Sequence, residues 1–147
     1  MIVEALAVGC SGLFAGAAVY VNLVEHPARL ECGNNVALRE FAPSYRRATV
    51  MQASLAVGGA VSGLVAWLFG SGMPFLLGAV LLGSVVPFTL IVIFPTNHRL
   101  LDPALLPDSG EATDLLASWG RLHAVRSLLS ISAFAIELVG AFSRAGR

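Results

Sequence analysis

The 147-residue chain is 56% hydrophobic and 12% charged, and its mean hydropathy is +0.79. Nine arginines, with no lysine, balance nine acidic residues, where a soluble domain would carry about 25% charged residues. This excludes a disordered chain, argues against an ordinary soluble fold and leaves no basic stripe for nucleic acid.

Hydropathy predicts one domain over residues 1–147, an all-α integral membrane four-helix bundle that is antiparallel and carries two long polar links on one face. A hydrocarbon core about 30 Å thick needs about 20 apolar residues per span, and the segments near 2–24, 48–70, 73–95 and 123–142 meet that length. The first begins with Glu4 where a signal peptide would be basic, and its apolar run is too long, so it reads as a retained helix. Its end, Tyr20-Val21-Asn22-Leu23-Val24-Glu25-His26-Pro27, places Asn22 three and four residues before Glu25 and His26, which predicts one shared face.

The second span follows Arg46-Arg47 and brings in Gln52 at a similar depth. A Gly70-Ser71-Gly72 turn predicts a tight hairpin to the third. There Pro87 is expected to kink the helix and free the carbonyl near Gly83, and the span ends Pro95-Thr96-Asn97-His98-Arg99. In the second link, Glu111 to Trp119 reads as an amphipathic stretch lying on the membrane. The fourth span opens Trp119-Gly120-Arg121-Leu122-His123-Ala124-Val125-Arg126, with Trp119, His123, Arg126 and Ser130 on one stripe. Gly12/Gly16, Gly59/Gly63 and Ala79/Gly83 are small pairs that let helices approach closely. Arginines concentrate on the link face, with Arg144 and Arg147 on the terminus face, so a multi-pass protein with cytoplasmic links is expected.

Topology therefore gathers the polar clusters of all four spans at one end. Cys10 and Cys32 form no CxxC pair, so thiol–disulfide chemistry of that type is excluded. Arg29, Arg46, Arg99 and Arg121 read as headgroup anchors, and Glu4 and Glu137, at the other end, receive only a packing or protonation role. Ionisable groups inside spans usually mark function. His123, Arg126, Glu25, His26 and Asn97 are the candidate catalytic residues. His123 can act as base with Arg126 and Asn97 steadying an oxyanion, and Glu25 can orient the imidazole or be the base itself. Asn22, Tyr20, Gln52, Arg47, Trp119 and His98 are candidate substrate-binding residues. No HExxH or ExxH pattern is present, so no metal site is assigned; a metal or haem held by His26, His98, His123 and Glu25 is the alternative. A bundle that only binds lipid or a protein partner is a third reading. Expected partners are membrane lipid, a small apolar substrate and, in a homo-oligomer, a second copy of the chain.

The strings AGAAVYVNLVEHPARL, PSYRRATVMQASL, PFTLIVIFPTNHRLLDP and WGRLHAVRSLL carry a resemblance. From about Leu6 to Phe142 the chain is similar to the small four-helix membrane family that includes the fungal anthrone oxygenases, whose bacterial members are mostly a domain of unknown function. The Glu25-His26-Pro27 segment resembles the bacterial members more than the fungal enzymes. The resemblance implies a monooxygenase without flavin, haem or metal. A base removes an acidic benzylic proton, the carbanion meets oxygen, and a peroxide collapses to a quinone. Glu25, His26, Asn97, Trp119, His123 and Arg126 are the residues it implicates.

Overall fold

The computed structural model describes residues 1–145; Arg147, counted above among the terminus-face charges, lies outside them. Four helices are long and apolar enough to cross a membrane: α1 (Ile2–Glu31), α2 (Asn34–Ser71), α3 (Met73–Leu100) and α4 (Gly110–Arg144). Each packs on its neighbour in the order α1, α2, α3, α4 and back to α1, so the bundle is a square of antiparallel helices. Both links then lie at one end and the N-terminus, the α2–α3 turn and the end of α4 at the other.

At 28 to 38 residues, the helices outrun the hydrocarbon core, since even 28 residues make about 42 Å of helix. The excess is on the link side. α1 and α2 are separated only by Cys32 and Gly33, where a φ of 84° suits glycine. The stretch from Glu111 to Trp119, expected to lie flat on the membrane, is instead continuous with the fourth span. Ala112, Leu116 and Trp119 explain why. They recur at helical spacing and bury against Ala37 and Phe41 of α2, Leu100 of α3 and Leu105 of the second link, an apolar contact that headgroups cannot offer. Ser109 caps this helix, its Oγ accepting from the Ala112 N–H at 3.2 Å.

In lipid, helix association rests on close packing. A Cβ on Gly59 would sit 2.5 Å from Leu82 Cδ2, and one on Gly12 would sit 2.9 Å from Phe134 Cε2. Ala79 Cβ is 3.1 Å from the corresponding point on Gly63, whereas Gly16 faces open space. Only one glycine of the first pair therefore serves the bundle. At the terminus end Glu4 accepts from Ser71 Oγ at 2.6 Å and pairs with Arg144 Nε at 3.2 Å. Glu137 is fully buried, and its Oε2 accepts from Ser11 Oγ at 2.6 Å.

Two helices widen where they approach the link end. Val21–Glu25 of α1 and Thr89–Ile93 of α3 form π turns, closed by the His26 N–H donating to Val21 O and the Phe94 N–H donating to Thr89 O. Each is followed by a proline, Pro27 or Pro95, which has no N–H for the carbonyl four residues back. Widening the turn relieves that crowding and inserts one residue into the register. Pro87 is accommodated inside helical α3, and the irregularity expected near it falls one position beyond Phe88, at Thr89.

A polar cavity at the link end

Asn22 sits in the α1 π turn and faces α4. Its Nδ2 donates to Gly120 O at 3.0 Å, and its Oδ1 accepts from Ser127 Oγ at 2.6 Å. These two bonds fix which end of the amide is which. His123 Nδ1 lies 2.8 Å from the same Oδ1. An amide oxygen can only accept, so Nδ1 carries the ring proton and Nε2 keeps its lone pair. The imidazole is thus held from behind with its basic nitrogen free.

Trp119, one turn earlier on α4, stacks on His123 with ring centroids 4.8 Å apart. Its Nε1 donates to Asn97 Oδ1 of α3 at 2.8 Å, which leaves the Asn97 NH₂ as that side chain's remaining polar group. Arg126, one turn further, donates through Nη2 to Gln52 Oε1 of α2 at 2.7 Å and lies 5.4 Å over the Phe14 ring. Its Nε has no partner, and among the described residues no ion pair includes Arg126. A partly buried guanidinium with no carboxylate is a strong anion receptor.

These residues wall a cavity of about 300 Å³, at the small end of the roughly 300–1,000 Å³ usual for ligand pockets. Glu25, Arg29, Trp119, His123 and Arg126 form its α1 and α4 walls; Ser44, Tyr45 and Gln52 come from α2 and Asn97 from α3. Phe14, Ala56, Val85 and Val86 are part of its apolar lining, with Ala53, Leu90 and Phe94 on the α2 and α3 side. Arg29 is buried, ion-paired to Glu25 and Glu40, and its guanidinium lies 5.8 Å from the Phe41 ring centroid and 5.7 Å from that of Trp119. Ser44 Oγ donates to Glu25 Oε1 at 2.9 Å.

Of the residues singled out from sequence, Glu25, Gln52, Asn97, Trp119, His123 and Arg126 line the cavity. Asn22 stands behind His123. His26 is buried against Trp119, centroids 5.1 Å apart, and fits only because position 120 is glycine: a Cβ there would be 2.6 Å from His26 Nε2. The shared face of Asn22, Glu25 and His26 is split. Asn22 and His26 meet α4, while Glu25 turns to Arg29 and Ser44. Tyr20, Arg47 and His98 are exposed and outside the cavity, His98 packing on Phe94 at 6.3 Å. With His98 elsewhere, no three His, Cys, Asp or Glu side chains among the described residues group to hold a metal ion.

Sequence reasoning missed Arg29, Ser44 and Ser127. The i,i+4 spacing of Glu25 and Arg29 was the available signal for the first, and that of His123 and Ser127 for the last. Ser44 had none, because its partner is on another helix.

The fold and cavity define a four-helix bundle of membrane-spanning length with an imidazole, a guanidinium and an amide facing one largely apolar space. The anthrone oxygenase family model matches residues 41–136, a stretch containing Gln52, Asn97, Trp119, His123 and Arg126. The chain is also 33% identical over 141 residues to anthrone oxygenase tpcL of Aspergillus fumigatus, covering 89% of this chain and 88% of that protein. It is 35% identical over 69 residues to anthrone oxygenase ptaC of Pestalotiopsis fici, covering 41% of this chain and 49% of that protein. The chain belongs to the anthrone oxygenase family. No solved structure matches it.

Proposed function

We propose that the protein oxidises an anthrone-type or similar apolar aromatic substrate with molecular oxygen and no cofactor, using His123 as general base. The observation that carries this reading is the Asn22–His123 pairing, which frees Nε2 in a cavity that also holds the unpaired Arg126 guanidinium. Family membership supports the same reaction class.

His123 Nε2 takes one proton from the substrate's acidic CH₂ group. The negative charge passes to the ring carbonyl as an enolate, which Arg126 and the Asn97 NH₂ stabilise. The carbanion is oxidised by O₂, forming a C–O bond and a peroxide that takes up the proton held on His123. Loss of the second C–H proton with O–O cleavage leaves a C=O group and releases water, so CH₂ and O₂ become C=O and H₂O. The chain's part is to remove and return a proton, hold the enolate and keep bulk water out.

Purified protein in nanodiscs, supplied with a hydroxyanthrone and oxygen, is expected to consume one O₂ per anthraquinone formed. With ¹⁸O₂, one labelled oxygen appears in the quinone. A rate no faster than spontaneous oxidation of the anthrone in empty nanodiscs would refute the reading.

A further inference from the structure

We propose that the substrate reaches this cavity sideways, from the lipid, through a window between α2 and α3. Tyr45, Thr49 and Ala53 frame one side and Val86, Leu90 and Phe94 the other. The inference rests on the proposed reaction only for the kind of substrate.

The cavity's walls are unequal. Every lining residue from α1 and α4 is buried or half-buried, whereas Thr49 and Ala53 of α2 and Leu90 and Phe94 of α3 line the cavity and are also exposed on the outer surface. Leu90 is 62% and Phe94 47% exposed. The opening is bounded on both sides along the helices. Towards the termini, α2 and α3 close up where Gly59 meets Leu82 and Gly63 meets Ala79. Towards the links they are joined through Phe41, Leu100 and Leu105.

The aqueous route at the link end is obstructed. There Arg29, ion-paired to Glu25 of its own helix and Glu40 of α2, lies over Phe41 and Trp119. A charged solute would have to break that cluster, while an apolar one in the bilayer meets no charge among the six window residues. Thr89, in the π turn at the rim, directs its hydroxyl to Val85 O of its own helix at 2.7 Å.

The depth is also suitable. Ala53 and Leu90 are each 17 residues from the nearer end of the α2–α3 connection, at Gly70 and Met73, or about 26 Å along a helix. With that turn at the opposite boundary of a core about 30 Å thick, the window opens just inside the hydrocarbon edge. A flat aromatic with a few polar substituents concentrates in that zone. His123 and Arg126 belong to the opposite wall, so the acidic edge of an entering ring would meet them first.

The test uses Trp119 as a reporter that does not depend on turnover. Trp67→Phe leaves it the only tryptophan. In nanodiscs, 9,10-anthraquinone dissolved in the lipid is expected to quench its fluorescence. Adding Ala53→Phe or Thr49→Phe should slow quenching by about tenfold or more, the scale of altered access in a fixed site. Val57→Phe should leave it unchanged, because Val57 is exposed on the same helix one turn outside the window. Quenching at the parent rate in both blocking variants, with helicity retained by circular dichroism, would overturn the window. Blocked quenching in a protein that never oxidises anthrone would support the window and remove the reaction. Anthrone turnover undiminished by either blocking variant would remove the window and keep the reaction.

Discussion

Asn22 and His123 are joined across the α1–α4 interface by a 2.8 Å contact between Oδ1 and Nδ1. Asn22 is itself held by Gly120 O and Ser127 Oγ. Asn22, fixed in this way by Gly120 and Ser127, clamps the imidazole in both tautomer and tilt. Asn22→Ala is therefore expected to lower kcat by about 100-fold, the cost of misplacing a reacting group by about an ångström. Nitrogen-15 NMR of the histidines checks the cause: the parent should show His123 protonated at Nδ1, and the variant a mixture of tautomers. An unmixed tautomer with kcat lost would assign Asn22 some other role.

Removing the proposed base should cost at least as much as removing the residue that holds it. His123→Ala is expected to lower kcat by about 10²–10⁴-fold, the usual share of general base catalysis, with the helical spectrum intact. Full turnover in this variant would exclude His123 as the base.

Arg126 has no acidic partner to leave stranded, so its loss should be felt in catalysis more than in folding. Arg126→Met is predicted to lower kcat/KM by about 10²–10³-fold and to lower thermal stability only modestly, by about 1–3 kcal/mol through the Gln52 amide it leaves unbonded. A large loss of stability with activity retained per folded molecule would contradict the assignment.

Arg29 is the opposite case. Its removal leaves Glu25 and Glu40, both partly exposed, without their cation, and losing charge-assisted hydrogen bonds of this kind costs about 1.5–3 kcal/mol. Arg29→Met should unfold at a clearly lower temperature. Neutralising both acids in addition, by Glu25→Gln and Glu40→Gln, should restore much of the loss. No recovery in the triple variant would show that aromatic stacking, not charge, dominates at Arg29.

Gly120 tests the packing behind the site. Gly120→Ala drives a methyl group into His26, and overpacking of this kind costs about 1–3 kcal/mol. His26→Ala in the same chain should relieve it, which unfolding of the single and double variants would measure.

Much of this molecule is legible before any coordinates. Long apolar windows separated by Gly70-Ser71-Gly72 and by two polar links leave few alternatives to an antiparallel four-helix bundle. That topology alone collects Asn22, Gln52, Asn97 and His123 at one end. Faces are harder to read. A π turn adds one residue, which rotates everything after it by about 100° about the helix axis. Counting at 3.6 residues per turn through Val21–Glu25 therefore put Glu25 beside Asn22, when it belongs with Arg29 and Ser44.

Arginine poses a second difficulty. Arg29, Arg46 and Arg121 all read as residues that reach for headgroups, and Arg46 and Arg121 are indeed exposed. Arg29 is buried because α1 supplies Glu25, α2 supplies Glu40, and two aromatic rings flank the guanidinium. Sequence contains the first of those partners at a readable spacing and hides the rest.

The scarcity of charge and the length of the apolar runs determined the class, the order of helices and the end at which chemistry would gather, because the bilayer penalises any other arrangement of such a chain. The tertiary structure alone decided which His123 nitrogen is free, that the arginine beside it, Arg126, has no acid to pair with, and where the cavity meets the outer surface. Those properties depend on partners brought together from different helices, at distances a one-dimensional spacing does not encode.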